Sequence, residues 1–71
     1  MNITPAQTQK LLTGDLVLTQ VSFSMMITRM KRIYEKDSSS ETLKNCTDEI
    51  NTFLQKYGGI MSADVATISK L

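Results

Sequence analysis

The chain has 71 residues, 41% of them hydrophobic and 21% charged, with eight Lys or Arg against seven Asp or Glu and a net charge of +1. One folded domain fits this length, and the near-neutral balance excludes both a polyacid and a strongly basic nucleic-acid coat. With no His, no Trp and a single Cys, it lacks the residues for His-based acid–base catalysis, the usual zinc sites and an internal disulfide.

A chain this short buries only about 60% of its extended surface and is marginally stable alone. Good helix packing or association with a second chain has to supply the rest. Met1-Asn2-Ile3-Thr4-Pro5 lacks the positive region of a secretory signal. The most apolar stretch, Leu16 to Ile27, is broken by Thr19, Gln20, Ser22 and Ser24, and it falls short of the ~20 apolar residues of a membrane span. Together with the lone Cys, this points to a reducing, cytoplasmic setting. Asn2-Ile3-Thr4 and Asn45-Cys46-Thr47 match the glycosylation triplet; without an export signal both read as chance.

The first start signal is Thr4-Pro5-Ala6-Gln7, a capping box with Pro at the first helical position. It predicts a short helix over 5–13, contributing Leu11 and Leu12 and ending at Gly14 in a left-handed conformation. Asp15 is then placed to cap a second helix over about 15–36. This segment has two readings. As a strand, Val17, Thr19, Val21, Phe23, Met25 and Ile27 alternate onto one face. As a helix, Leu16, Phe23, Met26, Ile27, Met30, Ile33 and Tyr34 share a side. Its length of about 20 residues exceeds a typical strand, and Asp15 at the start with Lys31, Arg32 and Lys36 near the end suits a helix macrodipole. The helix is preferred.

Asp37-Ser38-Ser39-Ser40 is a polar break, and Ser38 with Glu41 forms a second capping box. A third helix over about 39–57 follows, with Leu43, Cys46, Ile50, Phe53, Leu54 and Tyr57 as its seam. Gly58-Gly59 ends it, and a terminal helix over about 62–70, capped by Ser62, buries Val65, Ile68 and Leu71. The expected fold is therefore all-α: a long antiparallel hairpin with two short terminal helices, packed together at the end away from the Ser-rich turn.

Few residues invite chemistry. Cys46 lies in the helical seam with no His to activate it, and reads as a small buried hydrophobe. Asp48 and Glu49 diverge by about 100° on a helix and cannot clamp one ion. Glu35, Asp37 and Glu41 lack the spacing and Gly of a calcium loop. Gly58-Gly59 lacks the Lys-Ser/Thr of a phosphate loop. A helix-turn-helix over 48–71 would read bases with Asp64, Thr67, Ser69 and Lys70, a poor set for paired contacts. No catalytic, cofactor-binding or metal-binding residue is expected, and the chain reads as a non-enzyme.

The most informative feature is a second apolar stripe, Val17, Leu18, Val21 and Met25, apart from the core-facing one. A helix apolar around most of its girth needs covering on several sides. Either the short helices or a second chain does this, and Met adapts to irregular grooves. Arg29, Arg32 and Lys36 would form its rim. The expectation is a protein–protein interaction module using Val17, Leu18, Val21, Met25, Arg29, Arg32 and Lys36, with itself (dimer or larger) or another protein's helix as partner. The alternative is an accessory nucleic-acid binder using Arg29, Arg32 and Lys36, set against the neighbouring Glu35 and Asp37 and the lack of a basic excess.

Overall fold

The Thr4 capping box forms as its residues require: Gln7 N–H donates to Thr4 Oγ1 at 3.2 Å and Thr4 N–H to Gln7 Oε1 at 2.9 Å. In the computed structural model, which describes residues 2–57 (the Tyr57 side chain excepted) and 62–71, this box opens α1, Pro5–Thr13. Three further helices follow: α2, Val21–Lys36; α3, Ser40–Tyr57; and α4, Ser62–Ser69. All regular structure among the described residues is helical. The expected Gly58-Gly59 stop and the Tyr57 side chain's place in the seam lie outside the described residues.

Gly14 ends α1, but not in the left-handed conformation expected. Its φ of −96° and ψ of 178° are extended, and its N–H closes on the Lys10 carbonyl at 2.9 Å. A Cβ at this position would sit 2.9 Å from the same carbonyl oxygen. Close approach, not handedness, is what asks for glycine here.

The larger correction concerns residues 15–20, which are not helical. Asp15 caps nothing; the N-cap of α2 is Gln20, whose Oε1 accepts from Phe23 N–H at 2.6 Å. The cause lies 45 residues away. Asp64, only 1% exposed on α4, accepts Thr19 N–H at 2.7 Å, the Thr19 hydroxyl at 2.9 Å and Gln20 N–H at 2.9 Å. Donors bound to a carboxylate cannot also serve a helix. Residues 15–19 form neither helix nor strand, and burial alternates along them, with Leu16 and Leu18 packed against the core and Val17 between them facing out. This is the alternation of a strand, with the even positions inward.

Beyond Gln20, α2 buries Phe23, Ile27 and Met30, with Met26 and Tyr34 half-buried. Ile33, expected on this face, is 41% exposed; it lies about 90° around the helix from the buried row. The turn into α3 is also built differently from expectation. Asp37 accepts Ser39 N–H at 3.2 Å and the Thr42 hydroxyl at 2.7 Å, while Ser39 Oγ accepts Thr42 N–H at 3.2 Å. The cap is therefore Ser39, one residue later than the Ser38–Glu41 box. The Thr42 and Ser39 donors hold the Asp37 carboxyl below its usual range.

On α3, Cys46, Ile50 and Leu54 are buried and Leu43 and Phe53 partly so. The hairpin register is antiparallel: Phe23 stacks on Phe53 with centroids 5.4 Å apart, and further along α2 Arg29 meets Glu49, earlier on α3. Helix α1 packs on both long helices. Its N-terminal side is tied to α3, where Ile3 N–H donates to Asn51 Oδ1 at 2.7 Å and Asn51 Nδ2 to the Ile3 carbonyl at 3.0 Å. Deeper in, the Thr47 hydroxyl donates to Thr8 Oγ1 at 2.7 Å and the Thr8 hydroxyl to the Thr4 carbonyl at 3.1 Å. Its other side is tied to α2 by Gln9 to Tyr34 and by Lys31 to the Gly14 carbonyl. So α1 crosses the hairpin instead of sitting at one end of it. Ile68 of α4 completes the core, and Lys10 Nζ holds the Leu71 carbonyl at 2.9 Å.

Two predictions follow from these ties. Burial alone would push the Asp64 carboxyl upward, but the Thr19 and Gln20 donors outweigh it and hold it below the usual carboxylate range. Such a group adds stability above its unfolded value near pH 4, and that stability drains away as pH falls through the lower folded value. Melting followed by circular dichroism should show Asp64→Asn about 1–3 kcal/mol less stable at pH 7, with a gap that narrows as pH falls below about 4. Asp37 shifts the same way, but it is fully exposed and its contribution is screened. Separately, Asn51→Ala leaves the Ile3 N–H without its acceptor and should cost about 1–2 kcal/mol, read as a melting drop of roughly 4–8 °C per kcal/mol.

Candidate interaction face

With α1 and α3 covering one side of α2, its opposite side is left outward. Val21, Met25, Arg29, Arg32 and Lys36 fall within about 80° of one another at 100° per residue, on a stripe about 22 Å long at 1.5 Å rise. All five are exposed. The stripe is polarised: Val21 is 70% exposed and Met25 68% at the N-terminal half, and the three cations occupy the C-terminal half. Val17, in the segment before α2, is also exposed, at 82%. The expected seven residues do not all share the face, because Leu18 turns inward and packs against the core. Its departure follows from the extended backbone, in which neighbours point to opposite sides.

Electrostatics divide the basic half. Arg29 Nη2 lies 2.7 Å from Glu49 Oε1, with both side chains about half exposed (55% and 50%). One guanidinium nitrogen is thereby used, and the rest of its donor fork remains. Among the described residues, Arg32 and Lys36 have no carboxylate within 4.0 Å. Ser24, Met25, Thr28, Arg29 and Arg32 line a shallow groove of about 270 Å³ where the apolar and basic halves meet.

The other candidates are structural. Cys46 is buried; burial pushes its thiol up, Glu49 adds to this and Arg29 partly opposes it. It stays a neutral thiol in the core at pH 7. Among the described residues, no three His, Cys, Asp or Glu side chains gather as a metal site would need. In the helix-turn-helix reading, Asp64 is buried on its own fold, Thr67 Oγ1 donates to the Ala63 carbonyl and Ser69 Oγ to the Val65 carbonyl. Little of that polar set is turned toward a nucleic acid.

Thr8, Thr47 and Asp64, all buried, were missed as structural polar residues. A signal existed. Thr8 precedes Leu11 and Leu12 by three and four residues, Thr47 precedes Ile50 by three, and Asp64 precedes Ile68 by four. Each therefore stands on the apolar face of its helix. Among the described residues, every buried side-chain polar atom has a partner. No helix there is long and apolar enough to cross a membrane. Compared with models of protein families, with curated proteins and with solved structures, the chain finds no match.

Proposed function

We propose that this chain is a non-enzymatic, cytoplasmic helical interaction module whose contact face is Val17, Val21 and Met25 with Arg29, Arg32 and Lys36 at its basic end. The supporting observation is the exposure of three large apolar side chains, Val21 and Met25 on one side of α2 and Val17 in the segment before it, while the remaining apolar side chains of α2 other than Ile33 pack inward. Exposed apolar area of this kind gains free energy when a partner covers it. Charged residues at the rim orient that partner more than they hold it. The partner is a second copy of the chain or a helix of another protein.

A nucleic-acid role for the same cations draws on the alignment of Arg29, Arg32 and Lys36. It leaves the apolar half without a purpose, and Glu49 already neutralises part of Arg29. Sedimentation velocity of the wild type and Val21→Glu, with and without added amphipathic helical peptides, tests the proposal. The wild type gains mass with concentration or binds a peptide, and Val21→Glu loses that association by at least about tenfold, at unchanged helical content. A chain that stays monomeric and ignores every helical peptide contradicts the reading.

A further inference from the structure

Resting on that reading of the face, we infer that its occupant is a helix of another protein, apolar along one half of its contact stripe and bearing carboxylates along the other, and not a second copy of this chain. Symmetry is the first argument. Two copies related by a two-fold axis offer each other the same patch. If the two α2 helices run parallel, Arg29, Arg32 and Lys36 meet their own counterparts, and like charges are forced together. If they run antiparallel with full overlap, the three cations lie over Val21 and Met25, and no carboxylate of the stripe meets them.

Overlap of the apolar ends alone avoids both conflicts. It then buries only Val17, Val21 and Met25 from each copy, short of the ~800 Å² per partner of a standard interface. A heterologous helix of opposite polarity resolves all three cases. Its apolar side chains cover Val17, Val21 and Met25. Its carboxylates meet Arg32 and Lys36, which have no ion-pair partner among the described residues.

The groove gives the second argument, since it sits at the junction of the two halves. Met25, Arg29 and Arg32 line it along one side of α2, and Ser24 and Thr28 line it beside them. The Thr28 hydroxyl proton is directed to the Ser24 carbonyl at 2.9 Å, so the donors left for an incoming anion are the guanidinium N–H groups and the Ser24 hydroxyl. Guanidinium pairs with carboxylate in a two-pronged geometry that a point cation cannot offer. A Glu side chain, with an apolar stem and a charged tip, matches a recess lined by one apolar side chain and two arginines.

The test uses the full chain and a synthetic helix of about 20 residues, enough to span the ~22 Å stripe. The peptide carries Leu and Ile along one half of a stripe and Glu, Gln or Lys along the other. The Glu peptide should bind on the order of tenfold more tightly than the Gln peptide at low salt, with the advantage shrinking as salt rises. Arg32→Glu, checked to melt like the wild type, should invert the order and favour the Lys peptide.

Equal binding of all three peptides, or no inversion in Arg32→Glu, overturns this inference and leaves the interaction face standing. Self-association abolished by Val21→Glu, with no peptide binding, does the same. No association of any kind overturns both readings. Binding of a DNA duplex or of phosphatidylserine vesicles that Val21→Glu leaves intact also overturns both, because the apolar half is then not used.

Discussion

A carboxylate that leaves water must be met by donors, or its burial costs several kcal/mol. Asp64 is met by three donors from one short stretch, the backbone N–H groups of Thr19 and Gln20 and the Thr19 hydroxyl. That single requirement fixes much else. It keeps residues 15–20 out of a helix, sets the start of α2 at Val21 and seats α4 against the segment before it. With α4 held there, Ile68 closes the core and the Lys10 bond to Leu71 can form.

The outward face is a consequence of this arrangement. Because residues 16–18 are extended, Leu16 and Leu18 enter the core while Val17 does not. Because α2 starts at Val21, its first exposed apolar residues are Val21 and Met25. Lys36, in its last turn, suits the negative end of the helix dipole. The result is one surface with an oily end and a basic end. The fold uses Arg29 in part, through Glu49, and Arg32 and Lys36 hardly at all.

The elements governed by local chemistry were legible in the sequence. The Thr4–Gln7 capping box, the Phe23/Ile27/Met30 row and the Cys46/Ile50/Leu54 seam all follow from spacing within a few residues, and they stand where that spacing puts them. What was not legible depended on partners far along the chain. Gln20 looked like the interior of a helix until Asp64 arrived from another helix. Ser38 had a Glu three residues on, but Asp37 and Thr42 drew the cap to Ser39. Of the expected face, Val21, Met25, Arg29, Arg32 and Lys36 share the stripe as their helical spacing implied. Leu18 left it because its backbone is not helical.

The account turns on whether the chain is extended before Val21, so the most direct measurement is the set of Cα secondary chemical shifts across residues 14–25. The account predicts extended values from Asp15 to Thr19 and helical values beginning at Val21. An unbroken run of helical shifts from Asp15 onward would contradict it, because Thr19 and Gln20 would then spend their N–H groups on the helix and Asp64 would be left without them.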